Sequence, residues 1–329
     1  MAIAKEDQIA PEHLVSPAIK DFLESFSLGR WWVRTGRQIL QFGRKLRDPA
    51  LHKDWLSRYF LPLRNAVLLS RPLEVSFEGI PVRLEPRGAV AAQIWTGLRC
   101  ESHEVSFILS LLEPGMIFFD VGANAGLFAM TAAKKIGGGK VYAFEPCSST
   151  CRLLQQNLRL NGLADVHVEQ VALSDSDGKG VLQVNARGRD GLNTLGRATH
   201  PHSRVVAQEE VPVTMVDVFL KDRDIPRVDV MKVDIEGAEL LLFRGARELL
   251  DRPDGPLILY EGFGFLSRGF GYHPVEILWF LESCGYSFFA LNGDTGAISE
   301  LKADYRYDSM IIAVKPGHAA FARCRASVK

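Results

Sequence analysis

The segment richest in chemistry runs Met116-Ile-Phe-Phe-Asp120-Val-Gly122-Ala-Asn124-Ala-Gly126-Leu-Phe128. Buried-strand residues lead through a glycine turn into a helical pattern. Glycine lets backbone approach a ligand closely because it has no Cβ, and the N–H groups that open the helix then face that ligand. In open α/β sheets, ligands sit at this carboxyl end of the strands. A dinucleotide loop begins with glycine, in Gly-x-Gly-x-x-Gly, so that the tight turn can meet a pyrophosphate. Here Asp120 holds that place. A carboxylate repels a pyrophosphate and attracts a cation. Asp120, Gly122, Asn124 and Gly126 therefore read as a loop for the cationic aminoacyl end of S-adenosylmethionine.

Glu145 ends the next apolar run, Val141-Tyr-Ala-Phe-Glu145-Pro146. An acid roughly 20 residues past the glycine turn accepts hydrogen bonds from ribose hydroxyls. Adenosyl and nicotinamide cofactors share that ribose, so Glu145 alone leaves a nicotinamide-dependent oxidoreductase open. Ala172, Leu173 and Ser174 close a third strand and are placed to flank an adenine ring. A fourth strand closes as Asp229-Val-Met-Lys232-Val-Asp234-Ile-Glu236-Gly237-Ala-Glu239. Alternation puts Lys232 and Asp234 on one side, with Asp234 and Glu236 at the mouth of the same crevice. Methyl transfer to oxygen needs an aligned hydroxyl and a group that orients or takes its proton. Asp234, Glu236 and Lys232 are the candidate catalytic residues. Glu236 and Glu239 have the plainer alternative of stabilising a helix N-terminus. Clustered carboxylates also suit a hard cation, but nothing else in the spacing asks for one, and no metal is expected.

Several segments carry weaker signals. Residues 187–196 form a polar, glycine-rich loop that reads as a lid over an acceptor or as plain surface. Phe263, Phe265, Phe270 and Tyr272 offer rings for stacking on an acceptor. His103 is a candidate base. His200 and His202 flank Pro201 with no third ligand nearby and read as solvated.

The elements that must position these residues are regular from about residue 103. Strands are expected at Met116–Val121, Val141–Phe144, Val166–Leu173, Val228–Val233, Leu257–Tyr260, Tyr286–Leu291 and Met310–Val314. Helices are expected at Gly126–Ile136, Ser149–Leu160, Ala238–Leu250 and Pro274–Cys284. Such alternation implies an α/β fold, a doubly wound, mostly parallel seven-stranded sheet covered on both faces. The last two strands lack a helix-length connection and should pair as an antiparallel hairpin. Leu73–Glu85 reads as a separate hairpin turning at Glu78-Gly79. The expected divisions are a helical N-terminal extension at 1–72, a hairpin and linker at 73–95, a catalytic domain at 96–318 and a tail at 319–329.

Lysine plus arginine and aspartate plus glutamate number 39 each. A neutral chain has no global field for phosphate polymers, so no nucleic-acid partner is expected. Five cysteines, at 100, 147, 151, 284 and 324, form no CxxC pair, which suits a reduced, cytoplasmic protein. No signal-peptide core opens the chain, and no apolar run reaches the roughly 20 residues of a bilayer span. Residues 28–47 place Leu28, Trp32, Ile39, Phe42 and Leu46 on one helical face with six basic residues and no acid from Arg30 to Arg47. That stretch reads as a solvated basic face or as a peripheral contact with a membrane or partner, and the latter would also suit a non-catalytic binding module.

Taken together, these motifs resemble the FkbM family of methyltransferases, within the Rossmann-like S-adenosylmethionine class. The resemblance runs from about Trp95 to Pro316. It is carried by Glu101, Pro114-Gly115, Asp120-Val-Gly122-Ala-Asn124, Phe144-Glu145-Pro146, Ala172-Leu-Ser-Asp175 and Val216-Asp217. Its most specific part is Lys232-Val-Asp-Ile-Glu-Gly-Ala-Glu239, followed by Arg244-Gly-Ala246 and by Glu261. Cys100 stands where the family usually has tyrosine. The resemblance implies a cofactor site that includes Glu101 and Pro146, and methyl transfer to a hydroxyl of a sugar, glycan or secondary metabolite.

Overall fold

Leu73–Phe77 (β1) and Ile80–Leu84 (β2) form the expected hairpin, with Phe77 opposite Ile80. Its two-residue turn needs left-handed backbone twice, supplied by Glu78 at φ 48° and Gly79 at φ 76°. The chain then continues through α1 (Ser102–Leu111), β3 (Phe118–Val121), α2 (Leu127–Ile136), β4 (Val141–Phe144), α3 (Ser148–Leu160) and β5 (His167–Glu169). Next come β6 (Ala172–Leu173), β7 (Gly178–Asn185), β8 (Val205–Thr214), α4 (Val216–Asp222), β9 (Val230–Val233), α5 (Glu239–Arg244) and α6 (Arg247–Asp251). The last elements are β10 (Leu257–Glu261), α7 (Val275–Ser283), β11 (Ser287–Leu291), β12 (Ile298–Glu300), β13 (Met310–Val314) and α8 (Ala319–Ser327). The computed structural model describes residues 73–85, 102–186, 189–301 and 309–327. Glu101, the basic stretch at 28–47 and the rest of the expected N-terminal extension lie outside the described residues.

The main sheet has the order β12-β11-β13-β10-β9-β3-β4-β5. All seven expected strands are in it, and β12 adds a short eighth at one edge. Strands β5, β4, β3, β9 and β10 run parallel. β13 lies antiparallel to both β10 and β11, the reversal that the short connection requires. Strand alternation divides the core. Phe118, Val230, Leu257 and Leu259 meet β1–β2, α1, α2, α3 and α8 on one face. Phe119, Met231, Ile258 and Tyr260 meet α4, α5, α6 and α7 on the other. The α/β, doubly wound expectation therefore holds. Among the described residues no helix is long and apolar enough to cross a membrane.

Two local expectations change. The span Val166–Leu173 is divided between β5 and β6, and β6 joins a second sheet in the order β6-β8-β7. β7 and β8 have no clear period of two in the sequence, because exposed Val181, Val205 and Val206 stand among exposed charges such as Lys179 and Glu210, and few apolar positions such as Leu182, Val211 and Val213 are buried. The helix expected over Ala238–Leu250 breaks into α5 and α6. Gly245 lies against the backbone of Ser174, where a Cβ would collide with the carbonyl oxygen. Asp217 then restarts the helix by accepting from Glu248 N (2.8 Å) and Leu249 N (3.0 Å).

Asn157, fully buried on α3, joins the first hairpin to the main fold. Its Oδ1 accepts from Arg83 N (2.7 Å), and its Nδ2 donates to Arg83 O (2.9 Å) and Ala125 O (2.8 Å). Asn157→Ala leaves these backbone groups unmatched, and urea denaturation should show a loss of about 2 kcal/mol.

Candidate functional site

At the end of β3, Gly122 N and Ala123 N both donate to Phe144 O, each at 3.0 Å. This folds the turn across the end of β4. Gly122 has φ +75°, and a Cβ there would collide with the carbonyl oxygen of Asp234. The end of β3 thus meets the end of β9 only with glycine in that place. Asn124 (φ 49°) and Gly126 (φ +92°) complete the turn, and a Cβ on Gly126 would lie 2.5 Å from Leu154 Cδ1.

The charges beneath this turn are internally matched. Asp120 stands beside Lys232 in the register of β3 and β9. Asp120 is 0% exposed; its Oδ2 accepts from Ala129 N (2.9 Å), in the first turn of α2. Lys232, 3% exposed, places Nζ 3.6 Å from Asp120 Oδ1 and 3.4 Å from Asp234 Oδ2. The same ammonium donates to Gly122 O (3.0 Å) and lies 5.1 Å from the Phe128 ring centroid. Burial pushes the Asp120 carboxyl above its usual range, and Lys232 opposes that rise. The cation expected beside Asp120 is therefore an internal one. Neither Asp120 nor Lys232 lines the open crevice; both hold the turn from below.

The crevice itself opens between the ends of β3, β4, β6 and β9. Gly122, Asn124, Glu145, Pro146 and Ala172 all line it, and Gly126 stands behind. Glu145 is buried on its wall. Oε2 accepts from Asn124 N (3.1 Å) and Oε1 from Cys147 N (3.0 Å). Burial pushes its carboxyl up to about 7, against the pull of both backbone donors. Each oxygen keeps a lone pair for a further donor. Phe144, Val171, Ala172 and Leu173 supply the apolar surface alongside.

Asp234 and Glu236 line the acidic side of the same crevice. The Asp234 side chain is 36% exposed. Because β10 runs beside β9 with Tyr260 opposite Val233, the next residue, Glu261, comes level with Asp234. One carboxylate oxygen from each of Asp234, Glu236 and Glu261 falls within 4.8 Å of the others. In the sequence Glu261 is a strand-end acid, and its place beside Asp234 follows only from the pairing of β9 with β10. Burial first, then the charge of Asp234, pushes Glu236 up to about 9 and Glu261 well above its usual range. Glu239 belongs to the helix instead: Oε1 accepts from Ile235 N (3.3 Å) and Gly237 N (3.1 Å).

The polar loop packs as a wall. Thr194 Oγ1 donates to Glu236 O (3.0 Å), and Arg197 N donates to Gly269 O (3.1 Å). Gly191, Asn193, Thr194 and Leu195 face the crevice. Of the aromatic residues, Tyr272 is structural, donating to Gly237 O (2.7 Å), and Phe270 packs over Gly196 and Gly237. Phe263 and Phe265 stack on each other at 5.9 Å between centroids. His103 packs against Gly296; neither it nor His200 or His202 lines the crevice.

A family profile described as the methyltransferase FkbM domain matches residues 120–288. The methyltransferase sdnD of Sordaria araneosa is 34% identical over 39% of this chain and 60% of its own length. The 31-O-demethyl-FK506 methyltransferase FkbM of Streptomyces tacrolimicus is 28% identical over 42% of this chain and 62% of its own. The hexuronic acid methyltransferase AglP of Haloferax volcanii is 26% identical over 60% of this chain and 75% of its own. The chain spans 56% and 60% of the lengths of the first curated relatives it matches.

Removing the buried ammonium tests the internal charge match. Lys232→Met should lower stability by about 3 kcal/mol in urea denaturation, because Asp120 is left buried without its partner. Adding Asp120→Asn to that variant should restore part of the loss.

Proposed function

The chain belongs to the FkbM methyltransferase domain family, and from that premise we propose that it methylates a hydroxyl oxygen on a small-molecule or glycan acceptor. The methyl donor is S-adenosylmethionine, which when bound supplies an electrophilic methyl group on a cationic sulfur. The observation that carries this reading is the state of the α2 N-terminus. Asp120 already caps it from below, so the diphosphate seat that a nicotinamide dinucleotide needs is filled by the protein's own carboxylate. Glu145, with lone pairs to spare, stands at the wall where a ribose diol would lie.

Each group then has a task. Glu145 accepts from the ribose hydroxyls, and Pro146 lines the crevice beside it. Ala172 and Leu173 flank the adenine. Backbone at Gly122 and Asn124 faces the aminoacyl end. Asp234 receives the proton of the acceptor hydroxyl as the methyl group is transferred, and Glu236, which burial holds protonated, orients that hydroxyl. The wall around Thr194 limits water at the reacting atoms. Two relatives support an oxygen acceptor: one is named for a 31-O-demethyl compound and another for hexuronic acid. The four described cysteines are buried and free of disulfides, which supports a reducing, cytoplasmic setting.

Calorimetric titration with S-adenosylmethionine is the direct test; absence of binding by the wild type ends the reading. Glu145 carries a proton below about 7 in the free protein. Since ribose needs the ionised acceptor, donor affinity should fall as pH drops through about 7, approaching tenfold per pH unit well below it. Glu145→Gln should bind weakly and lose that pH dependence. Asp234→Asn should leave donor Kd unchanged while kcat on the acceptor drops by about 10²-fold or more, read with a labelled methyl donor across hydroxylated acceptors.

A further inference from the structure

More carboxyl groups converge at the acidic side of the crevice than proton acceptance by one carboxylate requires. Asp234, Glu236 and Glu261 come from a strand end, the turn after it and the neighbouring strand, yet their oxygens converge within 4.8 Å. Unneutralised carboxylates at that spacing repel strongly when partly buried. Lys232 touches Asp234 but is shared with Asp120 and the Gly122 carbonyl. A second observation is independent of that clustering. Glu261 Oε2 is buried and accepts no hydrogen bond, an arrangement that costs free energy unless something occupies its lone pairs. Glu239, next to the cluster, shows the contrast: its Oε1 is satisfied by two backbone N–H groups.

We propose that Asp234, Glu236 and Glu261 together seat one hard divalent cation at the acceptor end of the crevice. The donor set is all oxygen, which selects Mg²⁺, Mn²⁺ or Ca²⁺ over zinc or copper. Oxygens around one Mg²⁺ lie at most about 4.2 Å apart and around one Ca²⁺ at most about 5 Å apart, so three oxygens already within 4.8 Å of one another can reach a shared cation with small side-chain adjustment. Three protein oxygens leave the remaining coordination positions on the side of Asp234, the most open of the three. Those positions suit an acceptor that presents two neighbouring oxygens, such as vicinal hydroxyls or a hydroxyl beside a carboxylate. This assignment of acceptor class rests on the methyl-transfer reading; the cation seat itself does not.

The full chain, with neither donor nor acceptor present, should therefore bind a single Mn²⁺. Electron paramagnetic resonance of free Mn²⁺ and calorimetry would count it, and Mg²⁺ should compete. Glu261→Gln and Glu236→Gln should each weaken Mn²⁺ binding by about tenfold or more, while Asp254→Asn, an exposed acid elsewhere, should bind as the wild type does. Circular dichroism melting separates loss of the site from loss of the fold: at one Mn²⁺ concentration the Tm should rise more for the wild type than for Glu261→Gln. No saturable binding by the wild type up to about millimolar Mn²⁺, or equal binding by folded Glu261→Gln and Glu236→Gln, overturns the proposal. Titrating S-adenosylmethionine into the same samples keeps the two readings apart. Donor binding without Mn²⁺ binding removes only the cation, whereas Mn²⁺ binding without donor binding removes the methyl-transfer reading and leaves the seat standing.

Discussion

A single ammonium sealed beneath the glycine turn sets the geometry on which the crevice depends. Lys232 reaches Asp120 on β3, the Gly122 carbonyl in the turn and Asp234 past the end of β9. Burying a lysine is unfavourable by itself, and an ion pair rarely repays its desolvation in full. Here the cost is offset by several partners at once: two carboxylates, one carbonyl and the face of Phe128. Such a group contributes less to net stability than to uniqueness of arrangement. A turn shifted by one residue would leave the ammonium buried without its carbonyl and Asp120 without its cation. The turn that bounds the donor side and the acids that bound the acceptor side are thereby fixed to a common point.

Much of the architecture was legible in the sequence because the central strands are nearly continuous apolar runs. Phe118–Phe119 and Leu257–Tyr260 must be buried on both faces, and only a sheet covered by helices on each side does that. The second sheet was not legible for the same reason in reverse: β7 and β8 expose one face, and charged residues such as Glu209 and Glu210 hide their period of two. The break between α5 and α6 was hidden too. Gly245 is tolerable within a helix, and its reason for being there is contact with Ser174, far away in the chain.

The site was legible by type more than by role. The spacing from Asp120 to Gly126, with Glu145 after it, identified the turn and its ribose-side acid. What spacing cannot report is depth. Asp120 and Lys232 look like exposed strand-end charges in sequence and are sealed in the structure. Glu261 presents the opposite case. Its strand end was visible, but its company with Asp234 follows from the pairing of β9 with β10, a tertiary fact. Phe270 and Tyr272 likewise had the right chemistry for an acceptor surface, but packing over Gly196 and a hydrogen bond to Gly237 O commit them to holding the wall.

The two sides of the crevice are also joined without any charge. Gly122 rests directly on the backbone of Asp234, close enough that a side chain is excluded, so neither strand end can move independently. Two residues on, the chain enters left-handed backbone at Glu236 (φ 55°) and again at Gly237 (φ +102°). A non-glycine residue in that region is strained and persists only where its surroundings over-determine it. Those surroundings are identifiable. Thr194 holds the Glu236 carbonyl, Tyr272 holds the Gly237 carbonyl, and Glu239 gathers the N–H groups of Ile235 and Gly237. With that turn in place, an oxygen of the Glu236 carboxyl lies within 4.8 Å of oxygens of Asp234 and Glu261. The hydrogen bonds that hold this turn come from the wall loop, the aromatic segment and the helix start together.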